Sequence, residues 1–321
     1  MPNKPKAIVS IGGNVIIKRD ERGAIEEQFE NTIASVRHLD VLLEKGYCVV
    51  ITHGNGPIVG NIVLRNEVTR DTIPPMPIYM CDADSEGGIG FMIQQSLYNE
   101  LHKVKRTEDV ITVVTQVIVD GNDPAFLNPT KPIGPFYTKE EAESLAKERG
   151  WTVMEDSQRG YRRIVSSPRP IRVVEAGVVK RLAEMGIVVI AVGGGGVPVI
   201  ELPDGNLRGI DAVIDKDLAT STLAGEIGVE LFINLTQVEM VYLDFGKPDQ
   251  RGVKEMGIED ARRYLEEGHF APGSMGPKIE AAIDFIEGGG KDVIITTPEL
   301  IEEAMEGRAG TRITGSKKIA F

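Results

Sequence analysis

Three lysines occupy settings in which a cation could meet a phosphate. Lys131 lies between Pro129 and Pro132, Lys216 between Asp215 and Asp217, and Lys278 follows Gly273-Ser274-Met275-Gly276-Pro277. Phosphoryl transfer accumulates negative charge on equatorial oxygens, so its catalysis is supplied by positioned cations and backbone amides. Any one of these lysines alone reads as a solvated surface residue. Three glycine turns change the reading: Gly12-Gly13-Asn14, Gly54-Asn55-Gly56 and the four glycines 193–196 each end an apolar run. Turns of that kind bring backbone rather than side chains to a strand end, and Pro57 with Val59, Ile62 and Val63 predicts a helix whose free amides follow the second turn. None of the three fits GxGxxG with a ribose-binding acid, and GxxxxGK[ST] is missing, which disfavours a dinucleotide fold and a P-loop.

To bring these turns together, the chain must place several strand ends side by side. Apolar strand patterns at 7–11, 49–51, 110–119, 187–192, 231–235 and 292–295 alternate with helical patterns, including one with Phe29, Ile33, Val36 and Val41 on its apolar side. Further helices are predicted over 94–103, 140–149, 175–184, 216–225 and 276–287, and Asp204-Gly205 suits a hairpin turn. Such alternation predicts an α/β fold with a mostly parallel sheet covered on both faces, in which ligands bind at the carboxyl ends of the strands. The proline-rich loop 120–137, a short helix and strand pairs over 151–165 around a turn at Ser157-Gln158-Arg159-Gly160 predict a small flap inserted into that frame.

With 48 acidic against 36 basic residues the formal charge is -12, which argues against general nucleic-acid or anionic-membrane binding. Two cysteines, Cys48 and Cys81, are too few for a disulfide framework and lack zinc-ligand spacing. The longest apolar stretch, 187–200, is broken by four glycines and a proline and is too short to span a bilayer. With no signal segment after Met1, a cytoplasmic protein is expected.

Six stretches in order carry a resemblance: SIGGN from Ser10, THGNGP from Thr52, NDPAFLNPTKPIGPFY from Asn122, AVGGGGVPVI from Ala191, AVIDKDLA from Ala212 and GHFAPGSMGPK from Gly268. Together they resemble the carbamate kinases of the amino-acid kinase superfamily. The resemblance implies a three-layer αβα sandwich and a homodimer. It also implies an N-terminal acceptor lobe (1–185), a C-terminal nucleotide lobe (186–321) and a protruding flap at about 123–170. The implied reaction is reversible phosphoryl transfer between ATP and carbamate, with ATP/ADP and Mg²⁺ as the nucleotide partners, the metal being carried by the nucleotide and no protein metal site expected. Mapped residue by residue, Gly12, Gly13 and Asn14 would face the transferring group, and Gly54, Asn55 and Gly56 the acceptor. Lys131, Lys216 and Lys278 would balance phosphate charge, with Asp215 orienting the lysines. Tyr242, Gly273, Ser274 and Met275 would lie on the nucleotide side, although Met275 suits the core equally well. His53 reads as a structural histidine at the end of a buried strand.

Departures from the family pattern concentrate at these sites. Where an Asp-Val-Ala-Gly-Ala-Met-Ser-Gln-Gly-like run is usual, this chain reads Tyr79-Met80-Cys81-Asp82-Ala83-Asp84-Ser85-Glu86-Gly87. Asp82, Asp84 and Glu86 are either a solvated helix start or part of the acceptor pocket. In the pocket they would favour a small acid with a cationic or donor-rich group, guanidino, amidino or ureido, over bare carbamate. A non-catalytic nucleotide or metabolite sensor is the reading from another class, and it would be expected to have lost some of the three lysines.

Overall fold

Alternate residues of the central strands go to opposite faces, and both faces are apolar. Ala7, Val9 and Ile11 join Val49, Ile51, Ile190, Ile233 and Ile294 in one core, whereas Ile8, Val50, Val189, Phe232, Val293 and Ile295 line the other. A sheet apolar on both sides must be covered on both sides, and here helices do so. Ile25–Val36, Ile78–Lys103 and Ile301–Met305 cover the first face, while Ala176–Glu184, Lys216–Ile227 and Met275–Glu287 cover the second. The result, in a computed structural model that describes residues 4–18 (Asn14 without its side chain), 21–155, 160–271 and 273–315, is the three-layer sandwich expected.

The main sheet has eight strands, in the order Glu255–Gly257, Thr311–Thr314, Asp292–Thr296, Leu231–Leu235, Lys6–Ile11, Cys48–His53, Val188–Ile190, Val110–Thr112. All pairs are parallel except that between Asp292–Thr296 and Thr311–Thr314. Lys6–Ile11 is central, and the chain leaves it first toward Cys48–His53 and only later adds Leu231–Leu235 on its other side. That reversal creates a crevice beyond the carboxyl ends of these strands, where ligands bind in such folds. Strand Val188–Ile190 pairs between Cys48–His53 and Val110–Thr112. The N-terminal half of the sheet therefore takes strands from both sides of residue 185.

Three elements differ from the sequence expectation. The helix expected to carry Phe29, Ile33, Val36 and Val41 on its apolar side is two helices, Ile25–Val36 and Asp40–Glu44. The strand expected over 110–119 is two strands: Val110–Thr112 in the main sheet and Gln116–Val119 in a four-stranded sheet with Val197–Glu201, Leu207–Gly209 and Pro170–Val173. Between them, the Thr115 amide and hydroxyl turn away from any ladder and donate to Glu86. The helix expected over 94–103 begins at Ile78 and runs 26 residues. Interior glycines hid its first half, and Gly90 is required where it stands, because a Cβ there would lie 2.3 Å from Thr112 Cγ2.

The insert forms a three-stranded sheet of Lys131–Tyr137, Tyr161–Val165 and Thr152–Glu155 with the helix Lys139–Arg149. Ser157, Gln158 and Arg159 of its expected turn lie outside the described residues. Helix Gly56–Thr69 supports this flap at Gly60, where a Cβ would fall 2.4 Å from Gly134 Cα.

Candidate active site

Ser10, Thr52 and Asn234 are fully buried polar residues at matching positions near the carboxyl ends of three adjacent strands. Buried polar groups need partners. Theirs come from helix Lys216–Ile227, whose N-cap Asp215 accepts from the Asp217 amide at 2.9 Å. Thr52 Oγ1 lies 2.7 Å from Thr220 Oγ1. Asp217 Oδ1 accepts from Lys216 Nζ at 2.5 Å and Asn234 Nδ2 at 2.6 Å, and Lys216 Nζ also donates to Ser10 Oγ at 2.6 Å.

The other two expected lysines reach the same place. Lys278, in the first turn of Met275–Glu287, donates to Asp217 Oδ2 at 3.1 Å and to Asn234 Oδ1 at 3.0 Å. Lys131, from the flap, donates to Asp215 Oδ2 at 2.7 Å. The three lysines are therefore brought together, but the orienting duty expected of Asp215 is divided. Asp215 holds Lys131, and Asp217 holds both Lys216 and Lys278. Burial alone would raise the Asp217 carboxyl, yet Lys216 and Lys278 hold it well below the usual range. Asp215 is likewise lowered, Lys131 outweighing burial. Burial pushes Lys216 down to about 8 against the pull of Asp217. Two carboxylates for three buried or half-buried cations leave net positive charge, which suits an incoming phosphate.

The glycine turns form the floor. The Gly12 amide does not face a ligand as expected: it donates to Leu235 O at 3.2 Å, extending the strand ladder by one residue. The Gly54 amide is likewise taken by Ile11 O at 2.9 Å. Among the described residues none accepts from the Gly13 amide, which opens the short helix Gly13–Ile16, and the Asn14 side chain lies outside what is described. Gly54 permits close approach, since a Cβ there would meet Gly13 N at 2.8 Å and Lys216 Cδ at 3.0 Å. Asn55 and Gly56 continue that turn into helix Gly56–Thr69. The 193–196 turn closes from the other side, where a Cβ on Gly193 would lie 2.4 Å from His53 Nε2 and 2.7 Å from Glu86 Cγ. His53 is buried, held neutral by burial at about 4, with Nδ1 3.3 Å from Gly54 O.

The three acidic residues of the long helix part company. Glu86 is buried and accepts from Thr115 N at 3.0 Å, Thr115 Oγ1 at 2.6 Å and Gly193 N at 2.9 Å. Asp82, one turn earlier, is 2% exposed; its Oδ1 accepts from Asn55 Nδ2 at 3.1 Å and its Oδ2 has no partner among the described residues. Burial raises both carboxyls, Glu86 to about 8 and Asp82 well above its usual value. Asp84, about 200° around the helix from Asp82, is exposed.

Of the residues expected on the nucleotide side, Gly273 and Ser274 form an exposed bend before helix Met275–Glu287, and Met275 packs half-buried against the core. Tyr242 is half-buried on a hairpin strand with its ring 5.9 Å from Phe245, and it makes no hydrogen bond to the lysines. A cavity of about 220 Å³ lined by Tyr47, Glu230, Lys291, Asp292, Met305 and Arg312 opens at the opposite, amino-terminal end of the sheet. Its cations are paired with its own carboxylates and it takes no part in this site. Sequence reasoning missed Asp217 and Asn234 as site residues. Their signals were the second aspartate beside Lys216 and a lone amide inside Leu231–Leu235.

The profile of the amino acid kinase family matches residues 5–297. Carbamate kinase of Pyrococcus furiosus is 49% identical over 310 residues, covering 96% of this chain and 98% of that protein. A carbamate kinase-like protein of Escherichia coli is 47% identical over 315 residues, covering 97% and 99%. The structure of carbamate kinase from Giardia lamblia bound to AMP-PNP superposes with a TM-score of 0.89 at 40% identity, covering 98% of this chain and 99% of that one.

Proposed function

Since this chain belongs to the amino acid kinase family, we propose that it is a carbamate kinase, transferring a phosphoryl group reversibly between ATP and carbamate. The observation that carries this is the preset cation row, with Lys216 and Lys278 held on Asp217 and Lys131 on Asp215. In the ATP-consuming direction a carbamate oxygen forms the new bond to the γ-phosphorus as the bond to ADP breaks. The acceptor is already an anion, so no general base is needed. Lys131, Lys216 and Lys278 would balance charge on the transferring oxygens with little reorganisation, and the Gly13 amide lies against the Gly54 turn that packs on Lys216. Mg²⁺ would travel on the nucleotide phosphates. Among the described residues no three His, Cys, Asp or Glu groups gather into a metal cage, and the nearest carboxylates are engaged by lysines.

The acceptor would bind on the Gly54-Asn55-Gly56 side, within an N-terminal lobe (1–185), and the nucleotide between Tyr242 and the 273–275 bend of a C-terminal lobe (186–321), under the flap. A donor-rich acid is the weaker alternative. Glu86 is already satisfied by three protein donors and Asp84 faces outward, which leaves Asp82 alone beside the acceptor turn. A non-catalytic sensor has little to favour it while all three lysines stand in place. No described helix is long and apolar enough to cross a membrane; the cytoplasmic location is carried forward from the sequence as part of this proposal. A homodimer would use Phe91 and Tyr98, 55% and 58% exposed on the long helix.

The test is ATP formation from ADP and carbamoyl phosphate, run beside ATP consumption with guanidino and ureido acids. Rapid ATP formation is expected. Silence there, with turnover on a donor-rich acid, would overturn the carbamate assignment.

A further inference from the structure

Asn55 is 3% exposed and sits next to Gly54, which packs on the Lys216 side chain. Its Nδ2 lies 3.1 Å from Asp82 Oδ1 and 2.9 Å from Ser85 Oγ. Ser85 spends its own hydrogen on the Asp82 carbonyl at 2.8 Å, so its oxygen can only accept. The edge of Asn55 that faces it must then be the NH₂ group, which fixes the amide's orientation from its neighbours. Both amide hydrogens are thereby committed. Gly194 holds the amide from behind, since a Cβ there would fall 2.2 Å from Asn55 Nδ2. What remains for a ligand is Asn55 Oδ1, to which no described residue donates.

We propose that Asp82, together with Ser85, is a positioning residue that sets acceptor specificity: it makes Asn55 present its carbonyl oxygen alone, as the partner for an N–H on the acid that receives the phosphoryl group. The class selected is a small acid with N–H on its carboxyl carbon, carbamate or an N-monosubstituted carbamate, over an isostere with a methyl group there. This deepens the carbamate reading and rests on it. A site built to hydrogen-bond a substrate N–H rejects the analogue that lacks it far more strongly than an apolar pocket separates two shapes. The unpartnered Asp82 Oδ2 fits a side chain placed for its hold on Asn55 rather than for the fold's own hydrogen bonding.

The test compares ATP formation from ADP with carbamoyl phosphate and with acetyl phosphate, whose methyl group replaces the amino group. Its readout is the ratio of the two kcat/KM values in the full-length protein. Wild type is expected to favour carbamoyl phosphate strongly. Asp82→Ala takes away the acceptor of one amide hydrogen and leaves Ser85 alone to hold the amide, and the ratio falls about ten-fold or more, the scale of one lost hydrogen bond to substrate. Asp82→Asn keeps an oxygen toward Asn55 and holds the ratio near wild type. Ser85→Ala lowers it too, and decides the matter if Asp82→Ala fails to fold by circular dichroism. A purely structural role would depress both substrates alike, and an unchanged ratio in folded Asp82→Ala or Ser85→Ala overturns the proposal while the carbamate reading stands. Wild-type silence on carbamoyl phosphate overturns both.

Discussion

Asp217 and Glu86 are both buried carboxylates on helices packed against the carboxyl edge of the sheet, and they meet burial in opposite ways. Asp217 is flanked by two lysines, which hold it ionised. Glu86 has only neutral donors around it, and burial raises it to about 8. The difference shows that a buried carboxyl keeps its charge when cations compensate the lost solvation, whereas hydrogen bonds from amides and a hydroxyl compensate it only in part. The first region holds three lysines on two carboxylates, the net positive charge that the proposed phosphate site needs, and the second ties the long helix to the 193–196 turn.

Breaking the charged region at its centre gives the largest effect. Asp217→Asn leaves Lys216 and Lys278 buried without their shared anion, and removing one partner of a buried pair costs about 3–5 kcal/mol. The expected outcome is a lowered urea midpoint together with loss of phosphoryl transfer, measured by chemical denaturation and coupled assay. A midpoint within error of wild type would mean that the lysines do not depend on Asp217.

Lys216→Ala separates chemistry from folding in the same region. Turnover should fall by about 10²- to 10³-fold, the scale of one lost transition-state donor, with the fold retained. Since Lys216 is lowered to about 8, kcat/KM of the wild type should fall as pH rises through that value and the ammonium is lost. The stability sign differs: the cost of burying the charged lysine is fully present below about 8 and is relieved as pH rises toward 10.5.

The neutral-donor region gives a smaller effect and the opposite pH direction. Below about pH 4.5 the Glu86 proton is held in folded and unfolded states alike; between 4.5 and about 8 the folded protein keeps a proton that the unfolded chain has released. Stability therefore falls as pH rises through that window. Glu86→Gln should make the unfolding free energy less dependent on pH there, although Asp82, also raised, keeps some slope. Its amide group must also face one N–H donor, Thr115 or Gly193, at a cost of about 1–3 kcal/mol. A pH slope equal to that of wild type would show that Glu86 is ionised throughout.

These regions were legible in the sequence to different degrees. The lysines and glycine turns were readable because each carries its own local signal, a proline box, an aspartate pair or a glycine run. Which aspartate beside Lys216 serves which lysine was not, since that depends on Asp215 turning back to cap the helix while Asp217 faces the sheet. The long helix was obscured because Gly87, Gly88 and Gly90 lower helix propensity, and the need for Gly90 exists only once Thr112 is packed against it. Asn234 gave a signal that could not be interpreted for a similar reason: a single amide in an apolar strand has meaning only beside Asp217 and Lys278. The alternation of strands and helices, by contrast, fixed the layers without any tertiary information.

The acidic run supplies the finest test of the comparison. Asp84 shares helix, acidic side chain and neighbourhood with Asp82 and Glu86, but it is exposed where they are buried. If burial rather than the mere presence of a carboxylate sets their behaviour, Asp84→Asn should change unfolding stability by no more than about 0.5 kcal/mol, the usual range for an exposed position. It should also leave the carbamoyl phosphate to acetyl phosphate ratio as in wild type, because nothing links its side chain to Asn55. A shift in that ratio comparable to that of Asp82→Ala would mean that the acidic run acts through its summed field on the acceptor, and the distinction between a positioned carboxyl and a solvated one would fail.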